Sequence, residues 1–280
     1  MVMVSDHDKF FFDLRGFIVI RGALSATEVA EINAGLDAIP PLEPGEWFGH
    51  IHGQRYAATD GINYQQIYEA GEPFERLIDH PAWIEHVKTF VGGQGTFDMH
   101  HGPIFIDETF ANFRNPGQSI PFHGGGHTGC KRTQYRFHNG KFQCGQVNVI
   151  LALTDIGPGD GSTMLVPGSH KCNFEHPDIA KIGWGEGKSV DGVEGAIEVH
   201  VKAGDALVFV DAIMHGSARR INEGQRRILV QRYGPSWGMF RHGYRPSEEL
   251  LKRLTPERRQ IVWPHNELVR EPQVQPAHRA

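Results

Sequence analysis

The chain has 280 residues, 39% hydrophobic and 22% charged, the make-up of a folded globular protein rather than a disordered one. With 28 Lys plus Arg against 33 Asp plus Glu, the net charge of −5 excludes the basic footprint of a nucleic-acid-polymer binder but leaves room for a small anion in a local pocket. No apolar run of ~18 residues occurs, and Met1 to Lys9 lacks a secretory pattern, so a cytoplasmic protein without a membrane span is expected.

A short helix is expected from Ser5 to Leu14, then a strand from Gly16 to Ile20. Ser25-Ala26-Thr27-Glu28 is a capping box, and Val29, Ile32, Leu36 and Ile39 follow at helical spacing until Pro40-Pro41 stops the helix. Residues 43–63 read as loop, and 64–91 as a second helical region split near Pro81. From Thr96 to Tyr233 short strands alternate with Gly, Pro and Asp turns. Val147 to Leu153, Thr163 to Val166, Ile197 to Lys202, Ala206 to Val210 and Arg227 to Arg232 are the clearest. Ser247 to Val262 reads as a helix, and the tail beyond Pro272 as loose chain.

This pattern predicts a mainly β protein with flanking helices, its core a double-stranded β-helix (jelly-roll, cupin-like). The length suits one domain over 1–280, with an N-terminal helical part (1–95), a barrel core (96–240) and a C-terminal helix and tail (241–280). Cys130, Cys144 and Cys172 form no C-x-x-C and read as reduced thiols. Nothing sets an oligomeric state.

A jelly-roll mouth suits a metal held on one face by two histidines and a carboxylate, with positions left for oxygen and a chelating co-substrate. The later half of such a site is well formed. His215 follows the Ala206–Val210 strand, and Arg226 opens the next strand, where it would clamp a carboxylate with paired hydrogen bonds. Ser217 would donate to the same group, and Arg227 faces away. The earlier histidine has competitors among 17. His176-Pro177-Asp178 and His265-Asn266-Glu267 match H-x-D/E literally, yet one lies in a loop and the other too near the chain end, so both read as surface features. His123 ends a strand in Pro121-Phe122-His123-Gly124-Gly125-Gly126-His127. The run from Gly124 to Gly129 fits G-x-G-x-x-G, but no apolar-periodic helix follows, which rules out a dinucleotide fingerprint.

The His123 motif, Gly145 to Thr154, Gly159-Asp160-Gly161, Pro167-Gly168-Ser169-His170, and Ala203-Gly204-Asp205 through His215-Gly216-Ser217 to Arg226 together resemble the phytanoyl-CoA dioxygenase-like family of iron/2-oxoglutarate oxygenases. The resemblance implies His123 and His215 as iron(II) ligands and Arg226 as the 2-oxoglutarate anchor, assisted by a polar side chain near Gln146 or Asn148. The family pattern places a carboxylate two residues after the first histidine, and this chain has Gly125 there. The same replacement marks the iron/2-oxoglutarate halogenases, in which chloride occupies the carboxylate's place. The resemblance therefore implies iron(II), 2-oxoglutarate, chloride and O2, with Gly125 at the chloride site. It extends to freestanding halogenases acting on a purine deoxynucleotide in nucleoside-antibiotic biosynthesis, and so implies a small polar substrate of that kind. Trp47, Arg132 and Arg136 are candidates for its pocket. Three alternatives stay open: a third ligand from Asp211 or His127, a hydroxylase, and a metal-binding barrel without turnover.

Overall fold

The computed structural model describes residues 3–57, 59–92, 102–128, 134–183, 192–238 and 243–264. Helix α1 (Asp6–Arg15) starts where the Ser5 side chain accepts from the Asp8 amide and Asp8 accepts from the Ser5 amide in return. It stops at Gly16, and strand β1 (Phe17–Ile20) follows. Helix α2 (Ala26–Asp37) opens with the capping box read from Ser25 and Glu28.

The next stretch departs from expectation. Strands β2 (Trp47–Phe48), β3 (Ile51–Gln54) and β4 (Ile62–Gln65) form a meander on the edge of the main sheet where loop was expected. Tyr64 and Gln65, assigned to a helical region, belong to β4. Ile62-Asn63-Tyr64-Gln65 carries little apolar alternation of its own, and its pairing with the long neighbouring strand decides its state. Helical structure resumes with a 3-10 turn at Ile67–Ala70, followed by α3 (Glu72–Glu75) and α4 (Ile84–Val91).

Ten strands complete the β structure: β5 (Phe105–Arg114), β6 (Ile120–His123), β7 (Phe137–His138), β8 (Lys141–Phe142), β9 (Val147–Ala152), β10 (Thr163–Leu165), β11 (Ile197–Val199), β12 (Ala206–Val210), β13 (His215–Ser217) and β14 (Arg226–Gly234). A short helix, α5 (Ile179–Ile182), lies between β10 and β11, and α6 (Glu248–Arg253) and α7 (Pro256–Val262) follow β14. An eight-stranded sheet has the order β1-β12-β9-β14-β5-β4-β3-β2, a four-stranded sheet the order β11-β10-β13-β6, and β7 and β8 form a separate hairpin. Segment 1–95 thus gives β1 to β4 to the main sheet and is not the helical appendage its sequence suggested.

Both faces of the main sheet are covered, which explains why every residue of β12 is buried. On the outer face the rings of Phe12 and Phe90 stack at 3.6 Å, and the Trp83 indole N–H donates to the Tyr233 hydroxyl at 3.2 Å. The inner face looks across to the small sheet. Among the described residues no helix is long and apolar enough to cross a membrane.

Candidate active site

A cavity of about 610 Å³ opens between the two sheets. Strand alternation supplies its wall: Phe110, Asn112 and Arg114 from β5, and Arg226, Ile228, Val230 and Arg232 from β14, all point inward at a period of two. The small sheet contributes His123, Thr163, His215 and Ser217. Its chemistry divides into an imidazole pair, a glycine turn and an anion-seeking end.

His123, closing β6, and His215, opening β13, are direct cross-strand partners. Their ring centroids lie 4.1 Å apart. Both rings are held the same way, each bonded to the carbonyl two residues earlier: His123 Nδ1 to Pro121 O at 3.0 Å and His215 Nδ1 to Ile213 O at 2.7 Å. A carbonyl only accepts, so Nδ1 carries the proton and Nε2 the lone pair, the tautomer a metal ligand needs. Burial, and then the neighbouring imidazole of His215, push the His123 pKa down, which keeps the ring neutral. Asp211 lines the same cavity, buried, and accepts from Asn148 Nδ2 at 2.8 Å. Among the described residues no three His, Cys, Asp or Glu side chains converge as a metal cage.

The glycines after His123 do different jobs. Gly124 has φ 87°, and a Cβ there would lie 2.6 Å from the Ile213 carbonyl oxygen. Its lack of a side chain lets the end of β6 lie backbone to backbone on the segment before His215, where the Gly125 amide donates to Ala212 O at 2.9 Å. Gly125 has φ 114°, a left-handed backbone, and a Cβ there would meet the His127 ring at 2.7 Å. The space beside residue 125 is therefore bordered by the His127 imidazole.

At the far end Arg226 is buried, donating to Gly161 O and to Asn112 Oδ1 at 2.8 Å. Burial, then the charges of Arg114 and Arg220, push its pKa well down. Ser217 Oγ accepts from Arg114 and, at 2.9 Å, from the Ile120 amide. With both acceptor positions filled, its own proton points elsewhere. Arg227, as expected, turns to the other face and pairs with Asp37 at 2.7 Å.

The structure brings His123, His215, Ser217 and Arg226 to one cavity and moves other candidates out of it. Gln146 is buried behind the wall, donating to Asp107 Oδ2 at 3.1 Å, and it is Asn148, one inward-facing position along β9, that reaches the site. Trp47 is 54% exposed and stacks on His52 at 4.4 Å, away from the cavity. Arg136 is likewise exposed on the approach to β7. Arg132, Cys130 and His265 lie outside the described residues. His176 bonds the Glu194 carbonyl at 3.1 Å, in keeping with a surface role. Arg114 was not singled out from the sequence. Its signal was the inward series Phe110-Asn112-Arg114, polar where a strand core should be apolar.

Comparison with known proteins gives the same frame. HygX from Streptomyces hygroscopicus, solved with nickel, 2-oxoglutarate and hygromycin B bound, superposes with a TM-score of 0.66 at 27% identity, over 83% of this chain and 88% of that one. Dioxygenase cdmD from Talaromyces verruculosus is 22% identical over 88% of this chain and 80% of its own length. The peroxisomal phytanoyl-CoA dioxygenase of Rattus norvegicus is 23% identical over 84% of this chain and 69% of its own. The model of the phytanoyl-CoA dioxygenase (PhyH) family matches residues 12–228, so the chain belongs to that family.

Proposed function

We propose that this chain is an iron(II)/2-oxoglutarate-dependent halogenase that chlorinates an unactivated carbon of a small polar substrate. The observation carrying the reading is a cross-strand imidazole pair with glycine, not a carboxylate, two positions after its first member. The pair suits a metal, since both rings are buried or lean into the cavity and both have their tautomers fixed. Bound iron(II), with 2-oxoglutarate, O2 and chloride, supplies the oxidising power to remove a hydrogen atom from the substrate and to return chlorine in its place.

The chain's own residues bind and orient. His123 and His215 hold the metal, and Arg226 and Ser217 hold the far carboxylate of the co-substrate. Ile150, Phe209, Ile228 and Val230 form an apolar wall that keeps water from the reacting carbon. Selecting chlorine over hydroxyl is then a matter of where the substrate carbon is held. Tyr56 and Phe110 meet edge to face at the cavity wall, with ring centroids 6.1 Å apart and planes at 73°, and add an aromatic surface to the pocket on which a planar group such as a purine could rest.

The test is aerobic turnover of purine deoxynucleotides with iron(II) and 2-oxoglutarate, with chloride present or omitted, read by mass spectrometry. The expected result is a chloride-dependent product with the chlorine isotope pattern. A turned-over substrate that gains only oxygen at high chloride overturns the halogenase reading. One observation favours that second, hydroxylase reading: Asp211 lies in the same cavity, four positions before His215. If it is a third ligand, Asp211→Asn abolishes iron binding; the halogenase reading expects iron binding to survive. Substrate-triggered succinate formation excludes a barrel without turnover.

A further inference from the structure

Strands β5 and β14 set Arg114 and Arg226 directly opposite each other. Directly opposed residues of an antiparallel pair share a face with Cβ atoms about 5 Å apart, and like charges there repel. Both guanidinium groups are fully buried and both line the cavity. Arg114 donates to Ser217 Oγ and to the Asp60 carbonyl at 3.2 Å, while Arg226 donates to the Gly161 carbonyl and to Asn112 Oδ1. All four acceptors are neutral, and the Nε of each arginine lacks a partner.

The other buried arginines of the cavity region are treated differently. Arg220 pairs with Asp160 at 3.1 Å, and Arg232 pairs with Glu108 at 2.7 Å. Among the described residues neither Arg114 nor Arg226 is in an ion pair, although buried cations are ordinarily paired. Asp60 is the acid whose charge Arg114 feels, and its carboxyl is itself pushed up by burial, with Oδ1 unpartnered. Arg114 thus has one acid near it, weakened by burial, and Arg226 is near two other cations, which leaves this end of the cavity short of negative charge.

We propose that Arg114 is a second co-substrate anchor, so that the far carboxylate of 2-oxoglutarate bridges Arg114 and Arg226 and accepts the Ser217 hydroxyl proton. This rests on the reading of the chain as 2-oxoglutarate-dependent. A bridging carboxylate relieves the repulsion between the two arginines and gives acceptors to N–H groups that have none. It also makes Arg114 a specificity-determining residue, since a 2-oxoacid without a far carboxylate leaves both arginines buried and uncompensated.

The experiment is anaerobic calorimetric titration of the iron(II)-loaded full chain with 2-oxoglutarate and with 2-oxobutyrate, which keeps the chelating head and lacks the far carboxylate. Arg114→Gln is expected to weaken 2-oxoglutarate by roughly 10- to 100-fold, the range for a hydrogen bond between charged groups, and to leave 2-oxobutyrate within about threefold. Equal weakening of both ligands marks a merely structural role and overturns the proposal. Unchanged 2-oxoglutarate affinity in Arg114→Gln beside a loss in Arg226→Gln overturns the second anchor alone; unchanged affinity in both variants overturns the co-substrate reading with it. If Arg114→Gln does not fold, Arg114→Lys, which keeps the charge but loses the planar fork, is expected to show the same selective loss at smaller size, and a wild-type ratio between the two ligands overturns the proposal.

Discussion

At residue 124 a single methyl group would be enough to damage the site, whereas at residue 125 it would not. A Cβ on Gly124 meets the backbone carbonyl of Ile213, which cannot move without carrying the His215 segment with it. At Gly125 the obstacle is the ring of His127, a side chain that can rotate, and the residual cost is the left-handed backbone. Gly124→Ala is therefore expected to destabilise the fold by about 2–4 kcal/mol, adding a clash to backbone strain, and Gly125→Ala by about 1–2 kcal/mol. Thermal melts of the two variants check the order; a Gly124→Ala protein as stable as wild type would show that the backbone approach is not rigid. The same contrast bears on Gly125→Asp. An aspartate there has to adopt an unfavourable φ and displace His127; the proposed halogenase reading expects that variant to lose chlorine incorporation, a result to be read only on protein that still melts cooperatively.

The elements are tied together by a few polar joints whose protonation is readable. His170, buried after β10, bonds the Asp13 carbonyl at the end of α1 through Nε2 at 3.0 Å. Burial lowers its pKa to about 4 from an ordinary 6.5. The unfolded chain thus takes up a proton below pH 6.5 that the folded chain refuses, and stability falls as pH drops from about 6.5 to about 4, with a slope of up to ~1.4 kcal/mol per pH unit from this group. His170→Gln is expected to flatten that acid limb in melts between pH 7 and 4.5. Such joints also mark what the sequence made legible. The capping boxes at Ser5 and Ser25, the apolar runs of the barrel strands, and His215 with Arg226 at a strand start all follow from local pattern. The meander β2 to β4 does not, because β4 takes its state from pairing with β5, and β3 and β2 pair onto it in turn. The Phe110-Asn112-Arg114 series marked Arg114 as an inward polar residue, but what it faces was not legible. Its meaning lies in the register that sets it against Arg226, and register is a property of two distant segments together. Trp47 misled because aromatic residues suggest a pocket, and here the ring stacks on a neighbouring strand at the surface.

On the scale of the whole molecule, the cavity is the gap between two sheets, and two of the cations in it, Arg114 and Arg226, are in no ion pair among the described residues, which on the proposed reading leaves a place for an anion. Ligand binding and stability are therefore linked. At 100 times its dissociation constant, 2-oxoglutarate is expected to add about 2.7 kcal/mol to the stability of the iron-loaded chain and to raise its melting temperature by a few degrees. A melting temperature indifferent to saturating 2-oxoglutarate would mean that the anion does not enter this gap.

Strand β14 also acts as a ruler. Its inward residues run from Arg226 through Ile228 and Val230 to Arg232, and six residues of extended chain measure about 20 Å. A five-carbon diacid starting at the Arg226 mark covers less than half of that length by ordinary bond geometry. The remaining graduation, ending at the Arg232–Glu108 pair, is greasy in the middle and charge-balanced at its tip. A second molecule laid along it would have its reach fixed by the strand.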